Sequence, residues 1–358
     1  MLSFVQEGLP VRVVFGAGRR RQLRDEVRHL GIERALLITT PAKRAMAEAM
    51  AAEIGERAAG VFDRVAMHVP IEVAKAGRAE VLRLGADGCI ALGGGSAIGL
   101  AKAIALEQDV AIIALPTTYS GSEMTAIQGL TEDGVKRVRR DLRMLPRTVI
   151  YDPELTVSLP PSIAGPSGMN AMAHCVEAFY AEGATPLLSL AAEEGIRALA
   201  RSLPVLVDRP DSLEASTQAL YGAWLAGMAL GAGIALHHKL CHTLGGSFDL
   251  PHATTHTVML PHSAHYNRDA APDAMARIAR ALGASDAPTG LFDLARRIGG
   301  APASLEALGL RHADLDRAAE LAASAPYPNP RPVTREDVRA LLEDAFDGRR
   351  PGAGLQSA

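Results

Sequence analysis

The sequence predicts an α/β domain with a parallel sheet, followed by an all-α domain. Short β-branched or apolar runs alternate with helix-like stretches as far as residue 151, and long Ala- and Leu-rich stretches follow without a further strand pattern. Apolar strands between helices are typical of a parallel sheet covered on both faces. The length also exceeds what a single core usually fills. We therefore expect residues 1–155 to form the first domain and 156–358 the second.

The strand-like runs occupy five places in the first part of the chain: Val11–Phe15, Ala35–Thr39, Gly88–Leu92, Val110–Leu115 and Thr148–Tyr151. In the second part, Ser189–Leu206 and Ala274–Leu282 have the composition of helices. The stretch Thr217–Leu236 carries no charge over about the length that spans a bilayer. An apolar helix is also typical of a large core, and we predict a buried helix there.

Composition favours a small ligand over a nucleic acid or an anionic membrane. The 358 residues carry a formal net charge of -3, so there is no basic excess. The cysteines Cys89, Cys175 and Cys241 are an odd number, lie far apart and form no CxxC pair. The start, MLSFVQEGLP, lacks the pattern of a secretory signal. We expect a cytoplasmic protein.

A glycine run follows the third predicted strand and opens a helix: Gly93, Gly94, Gly95 and Ser96. Glycines let the backbone approach a pyrophosphate, and a helix N-terminus offers free N–H groups and partial positive charge. A tight turn without a ligand has the same pattern, and the spacing is not GxGxxG. The run alone therefore leaves both interpretations open.

A second polar segment, Leu115 to Glu123, follows the next strand and strengthens the first interpretation. Two polar strand ends at the carboxyl edge of a parallel sheet are typical of a ligand site, and together they predict dinucleotide binding. No acid stands in Thr39–Lys43, where one would reject a 2′-phosphate, so we expect both NADH and NADPH to be accepted. The expected cofactor contacts are Gly93, Gly94, Gly95, Ser96, Thr117, Thr118, Ser120, Thr40 and Lys136.

Histidines are concentrated in one part of the second domain. Seven of the eleven lie between residues 237 and 265: His237, His238, His242, His252, His256, His262 and His265. His238 and His242 are four residues apart, as are Asn170 and His174, so each pair lies on one helix face. A single histidine is often a hydrogen-bonded core residue, but the set predicts a chemical site.

Several segments, in this order and spacing, resemble the iron-containing alcohol dehydrogenase superfamily: GGGSAIGLAKAIAL, PTTYSGSEMT, YDPELT, SGMNAMAHCVEA and HHKLCHTLGGSFDLPH. The resemblance implies an N-terminal dinucleotide-binding domain, a helical C-terminal domain and an active site in the cleft between them. Metal-dependent members bind a divalent ion through an Asp, a His four residues later, and two further His. Here these positions read Asn170, His174, His238 and His252.

The neutral Asn170 departs from that metal-binding pattern, because it replaces the only anionic ligand. The same departure, with HHKLCHTLGGSFDLPH, resembles the maleylacetate reductase subgroup. That resemblance implies reduction of the carbon–carbon double bond of a small dicarboxylate, maleylacetate, to 3-oxoadipate by NADH or NADPH, without a metal, and we also expect a homodimer. We assign the chemistry to Asn170, His174, His238, His242 and His252, with Lys239 as a clamp for a substrate carboxylate and Arg139, Arg140 and Arg143 as further candidates.

Three alternatives remain open at this point. A metal-dependent alcohol or polyol dehydrogenase could hold iron or zinc through His174, His238 and His252, with water in place of the carboxylate. A lyase of the dehydroquinate synthase type has a related fold but does not consume NADH. A non-catalytic nucleotide-binding protein would show no turnover. Metal analysis, net NADH consumption and turnover distinguish these from a reductase.

Overall fold

A computed structural model describes residues 4–6, 8–67, 69–132, 135–157 and 159–352, and it describes only the backbone within 130–138. The chain divides into two compact units. The sheet unit is Glu7–Val157, and the helical unit is Met1–Gln6 together with Ser158–Ala358.

A six-stranded, all-parallel sheet forms the centre of the sheet unit, in the order β1-β8-β5-β4-β2-β3. An antiparallel hairpin, β6-β7, is separate from it. The strands are β1 Arg12–Phe15, β2 Ala35–Ile38, β3 Ala58–Phe62, β4 Gly88–Gly93, β5 Ala111–Pro116, β6 Ile127–Glu132, β7 Val135–Arg140 and β8 Thr148–Tyr151. The helices are α1 Leu23–His29, α2 Arg44–Ile54, α3 Ile71–Leu84 and α4 Gly95–Ala105.

The parallel sheet expected from the sequence is confirmed, and each of the five predicted runs contains a strand. β3 and the β6-β7 hairpin were not predicted. The core of the unit is aliphatic: Leu37, Ile90, Ile113 and Ile150 are fully buried in one cluster. β4 follows β3 in the chain but lies on the other side of β2. The direction of strand addition therefore reverses between β2 and β4, and the carboxyl ends of strands at such a reversal commonly bind ligands.

The helical unit consists of nine α-helices in the residues that the structure describes, with no strand after Tyr151. They are α5 Pro161–Glu177, α6 Pro186–Asp208, α7 Leu213–Ala229, α8 Leu236–Phe248, α9 His252–Asn267, α10 Pro272–Leu282, α11 Ala287–Ile298, α12 Leu315–Ala323 and α13 Arg335–Phe346. The all-α second domain is therefore confirmed.

The single buried helix predicted for Thr217–Leu236 is wrong. α7 ends at Ala229, a 3-10 turn covers Leu230–Ala232, and α8 begins at Leu236. Gly233 lies at the break with a φ of 97°, a value that side chains disfavour. No single helix of the described residues is long and apolar enough to cross a bilayer. Leu213–Ala232 and Leu236–Phe248 pass that test only as a pair, by length and composition, and the pair is bent by 100°.

Glycines allow α5, α6 and α7 to pack closely. A Cβ on Gly195 of α6 would lie 2.8 Å from the sulfur of Cys175 on α5. A Cβ on Gly222 of α7 would lie 2.7 Å from Cγ of Leu199 and 3.1 Å from the carbonyl oxygen of Gly195. Such contacts leave no room for larger side chains. This packing holds α5, which carries Asn170 and His174, in a fixed position within the unit.

Candidate functional site

In the sheet unit, the glycine run forms the turn between β4 and α4. Gly93 ends β4, Gly94 precedes the helix in an extended conformation, and Gly95 is the first helical residue. A Cβ on Gly94 would lie 2.7 Å from Oγ1 of Thr118, whereas a Cβ on Gly95 would meet nothing closer than Oγ of Ser120 at 3.7 Å. The first N–H groups of a helix have no partner within it. The exposed Gly95 therefore leaves space for an anion at the start of α4.

The segment after β5 lies directly beside this turn. Gly93 pairs with Pro116 in the sheet, and the N–H of Thr117 donates to the carbonyl oxygen of Gly93 at 3.1 Å. Thr117 is buried, whereas Thr118 and Ser120 are partly exposed. The two strand ends that the sequence predicted to be adjacent are therefore adjacent, and the backbone of Thr117 connects them.

A buried polar network ties the same segment to α4. The Lys102 ammonium, fully buried, donates to the carbonyl oxygens of Ser122 and Ile127 at 2.6 and 2.9 Å and to Oγ1 of Thr125 at 3.1 Å. Burial lowers the pKa of Lys102 to about 7. Glu123, whose pKa burial raises, accepts from the hydroxyl of Tyr151 at 2.9 Å. The sequence analysis did not identify this network, although a lysine in an otherwise apolar helix indicates it.

The two remaining predicted cofactor contacts, Thr40 and Lys136, lie on other segments of the sheet unit. Thr40 follows β2, the neighbour of β4, and precedes a short 3-10 helix. Oγ1 of Thr39 donates to the carbonyl oxygen of Leu92 at 2.9 Å, which connects the ends of β2 and β4. Lys136 belongs to β7, and its side chain lies outside the described residues.

Gly95→Val tests the phosphate assignment. The open space around a Gly95 Cβ means that the fold accommodates a side chain there, while that side chain occupies the expected phosphate position. We expect the Kd for NADH to rise about tenfold or more, corresponding to about 1.4 kcal/mol, with little change in thermal stability. Fluorescence titration measures the Kd, and Gly95→Ala should give a smaller rise. An unchanged Kd in the valine variant would contradict the assignment.

In the helical unit, imidazole rings from three helices lie together. The rings of His174 on α5 and His238 on α8 are stacked, with centroids 4.6 Å apart. His256 on α9 lies 4.9 Å from His238 and 4.4 Å from His252 by ring centroid. The full histidine cluster comprises His174, His237, His238, His242, His252 and His256.

The cluster includes all the histidines that the sequence analysis assigned to the chemistry. The ring of His242 lies 6.1 Å from that of His238 and 6.4 Å from that of His252, and Asn170 is buried one turn before His174 on α5. His237 and His256 belong to the cluster but were not assigned. His256 follows His252 by four residues, a spacing that could have identified it.

The two unassigned histidines form a buried pair. Nε2 of His237 and Nδ1 of His256 are 2.8 Å apart, and both side chains are fully buried. Burial, and secondarily the neighbouring imidazoles, lowers the pKa of His237 and of His256 well below the usual value. Both rings are therefore neutral near pH 7, which suits them to supporting the other histidines rather than to donating protons.

A buried carboxyl group that the sequence analysis missed, Glu177, joins α5 to α8. Its Oε2 lies 2.5 Å from Nδ1 of His238 and accepts from the N–H of Ala235 at 2.9 Å, and its Oε1 accepts from the N–H of His237 at 2.7 Å. Glu177 follows His174 by three residues, so both lie on one face of α5. A lone acid in an apolar helix is the signal that could have revealed it.

Several buried polar atoms beside these residues have no hydrogen-bond partner among the described residues, including Oδ1 of Asn170, Nε2 of His238, Nδ1 of His237 and Nε2 of His256. Buried polar atoms are normally hydrogen-bonded. An acceptor and a ring nitrogen left open in this way are available to a bound molecule. This arrangement suits a small polar substrate with oxygen atoms.

The four positions that resemble the superfamily's metal ligands do not suit a divalent ion well. Asn170, His174, His238 and His252 offer no negative charge to complement a dication. In the described part of the chain, one set of three potential ligand atoms lies within 4.8 Å of one another, and none of them belongs to these four residues. The set comes from His237, Cys241 and His256.

The trio of His237, Cys241 and His256 is a separate candidate metal site. All three side chains are buried, and thiolate and imidazole ligands suit zinc and other soft ions. The sulfur of Cys241 lies 3.7 Å from Nε2 of His237. The short distance between His237 and His256 is that of a hydrogen bond, so the same atoms also satisfy one another without an ion.

The lysine and arginines predicted as candidates for binding a substrate carboxylate differ in whether they are already paired with an acid. Nζ of Lys239, on α8, lies 5.7 Å from the ring centroid of Tyr327 and forms no ion pair among the described residues. Arg143 is bound to Asp141 through Nε and Nη2 at 3.0 and 2.7 Å. Arg139 and Arg140 are exposed on β7 of the hairpin.

Comparison with known proteins identifies close relatives. Residues 10–153 match the iron-containing alcohol dehydrogenase model, and residues 165–346 match the C-terminal model of the Fe-containing alcohol dehydrogenase family. A maleylacetate reductase of Burkholderia cepacia is 55% identical over 98% of this chain and 100% of its own. The crystal structure of maleylacetate reductase from Rhizobium sp. strain MTP-10005 superposes with a TM-score of 0.94 at 52% identity, covering 98% of this chain and 100% of that one. Sulfoacetaldehyde reductase from Bifidobacterium kashiwanohense, solved in complex with NAD+, gives 0.87 at 25% identity, covering 96% and 98%.

Proposed function

This protein belongs to the iron-containing alcohol dehydrogenase family, and from that membership we propose that it reduces the carbon–carbon double bond of maleylacetate to give 3-oxoadipate with NADH or NADPH. The proposal draws on the maleylacetate reductases that are about half identical to the whole chain. The observation that carries it is the histidine cluster beside the neutral Asn170. Such a site supplies proton donors without requiring a metal ion.

The reaction sets three tasks for the chain. The reduced nicotinamide, when bound, supplies a hydride to the alkene carbon β to the ketone. The chain must stabilise the negative charge that the ketone oxygen then carries as an enolate. It must supply a proton to the carbon between the ketone and the reduced carbon, and it must hold two carboxylates. We assign the start of α4 and the segment after β5 to the nucleotide, because their N–H groups and hydroxyls suit a pyrophosphate.

We assign the oxyanion and the proton to imidazoles of the histidine cluster. An imidazole ordinarily titrates near neutral pH, so it can donate a proton to carbon or a hydrogen bond to an enolate oxygen. His174, His238, His242 and His252 are the candidates. His237 and His256 are neutral by burial and serve as supports. Nε2 of His238 is buried and has no hydrogen-bond partner among the described residues, which makes His238 the foremost candidate to transfer the proton.

We propose that Lys239 binds one substrate carboxylate. Its ammonium group has no carboxylate partner within ion-pair distance in the described residues and lies on the same helix as His238 and His242. An ammonium group pairs with an anionic ligand as a point charge. Asn170 is assigned a hydrogen bond to the substrate through its amide.

We propose further that catalysis needs no metal. The four neutral donors at the superfamily's ligand positions hold a dication less well than a set with a carboxylate. A protein that lacks a Lewis acid must stabilise the enolate in another way, and the histidines supply that stabilisation. We also propose that the protein is a homodimer. We propose a cytoplasmic location, which three buried cysteines without a disulfide favour.

One assay tests the function and the metal requirement together. NADH oxidation with maleylacetate is measured before and after exhaustive treatment with a strong chelator, and the metal content of each sample is determined. We expect the same kcat in both samples. Absence of turnover in the untreated protein would contradict the proposed reaction. Activity lost on treatment and recovered with iron or zinc would contradict the metal-free mechanism. Metal-dependent turnover of an alcohol or polyol in place of maleylacetate would instead support the dehydrogenase alternative.

A further inference from the structure

Glu177 is fully buried at the end of α5, and both of its oxygens face the first turn of α8. They accept from the N–H groups of Ala235 and His237 at 2.9 and 2.7 Å, and Oε1 also lies 3.4 Å from the N–H of His238. These N–H groups begin a helix and have no partner within it. The positive end of the helix dipole and the N–H groups stabilise a negative charge at this place.

The contact between Glu177 and His238 determines which nitrogen of that imidazole carries the hydrogen. Oε2 of Glu177 lies 2.5 Å from Nδ1, at hydrogen-bond distance. An ionised carboxylate only accepts, so Nδ1 carries the hydrogen in this pair. The other nitrogen, Nε2, is buried without a partner, and the ring is stacked on that of His174. Nε2 is thus the nitrogen left to face a bound molecule.

We propose that Glu177 is the positioning residue of the reaction: it keeps the hydrogen on Nδ1 of His238 and fixes the orientation of the ring, so that the doubly protonated ring donates the proton on Nε2 to the substrate and returns to the neutral tautomer with its hydrogen on Nδ1. This inference rests on the proposed reductase function. Carboxylates that orient a functional imidazole through its other nitrogen are a general device in enzymes. Here the same carboxylate also begins α8, so it connects the helix of His174 to the helix of His238.

Glu177→Gln tests the role, because it keeps the size of the side chain but replaces one accepting oxygen by an NH₂ group. If that group faces His238, Nδ1 must accept from it and can no longer carry the hydrogen that the doubly protonated, donating ring needs there. We expect kcat to fall by about 10²- to 10⁴-fold, as for loss of a general acid, while KM for maleylacetate and the Kd for NADH change by no more than about threefold. Glu177→Asp keeps the charge and should recover part of kcat.

Asn329→Ala is the matched structural control. Oδ1 of Asn329 also accepts from the first turn of α8, from the N–H of Leu236 at 3.4 Å, but no hydrogen bond connects Asn329 to His238. A role limited to helix capping predicts similar losses of kcat in Asn329→Ala and Glu177→Gln. The positioning role predicts that only Glu177→Gln loses kcat strongly, even where both variants melt at lower temperature.

Two further measurements decide the matter even if Glu177→Gln folds poorly. In ¹⁵N-histidine-labelled wild-type protein, with His238 assigned by its loss in His238→Ala, we expect a hydrogen on Nδ1. In a His238→Ala background, Glu177→Gln should cause no additional loss of kcat. A His238 without hydrogen on Nδ1, or additive losses of kcat, would overturn the positioning role. Absence of reductase activity in the wild-type protein would overturn the proposed function instead, and the NMR result is independent of it.

Discussion

Alanine in place of His174 or His252 is expected to lower kcat for maleylacetate reduction by about 10²- to 10⁴-fold, the range typical for loss of a general acid or base. Both rings belong to the histidine cluster, His174 stacked on His238 and His252 beside His256. Each change removes a proton donor or a hydrogen bond to the enolate, and both are needed most in the transition state. Steady-state kinetics with NADH and maleylacetate gives the result.

His265→Ala serves as the control for these two variants. His265 lies on α9, as His252 does, but it is outside the histidine cluster and half-buried. Its replacement should leave kcat within about threefold of the natural value. If His174→Ala and His252→Ala behave like His265→Ala, the cluster does not carry the chemistry.

Asn170→Asp is expected to convert the site to one that captures a divalent metal, with loss of reductase activity. Oδ1 of Asn170 is buried and has no partner among the described residues. A carboxylate there would be a buried, uncompensated charge, which destabilises a fold unless a cation neutralises it. We therefore expect the metal-free variant to melt several degrees lower and to recover on addition of Fe²⁺ or Zn²⁺. The bound ion would be coordinated by the same imidazoles that donate protons, so the reductase activity would fall.

Metal analysis, thermal melting and activity, each before and after chelation, measure these effects. Asn170→Ala is the comparison: it also loses the amide but gains no charge, so it should neither bind metal nor be stabilised by it. The interpretation of Asn170 would be wrong if the natural protein held about one tightly bound ion per chain and lost its activity when that ion was removed.

The sequence predicted the sheet well where its strands are buried and apolar. Gly88–Leu92 became β4 with one added residue, because a fully buried strand is a continuous apolar run. β3 was missed because Ala58, Ala59 and Gly60 favour strands weakly and only Phe62 of that strand is buried. The β6-β7 hairpin was missed although Asp133-Gly134 is a common hairpin turn pair.

The sequence predicted those site residues that are related by the spacing of one helix, but not the contacts made between helices. Residues four apart identified His238 with His242 and Asn170 with His174, because such residues share a helix face. His237 points to a different side of α8 from His238, so its contact with His256 depends on how α8 and α9 pack. Asn329 reaches the start of α8 from far along the chain, and no local pattern indicates such a contact.

The burial of Lys102 has a consequence for chemical labelling. The chain contains only five lysines, and the amine of Lys102 is shielded from solvent, with its hydrogens bonded to oxygens of the segment after β5. Amine-directed reagents therefore have few targets, and Lys239, which is partly exposed, is one of them. Peptide mass spectrometry can measure the modification of Lys239 separately from that of the other lysines. Protection of this amine by a dicarboxylate would report that the site is occupied, without any need for turnover.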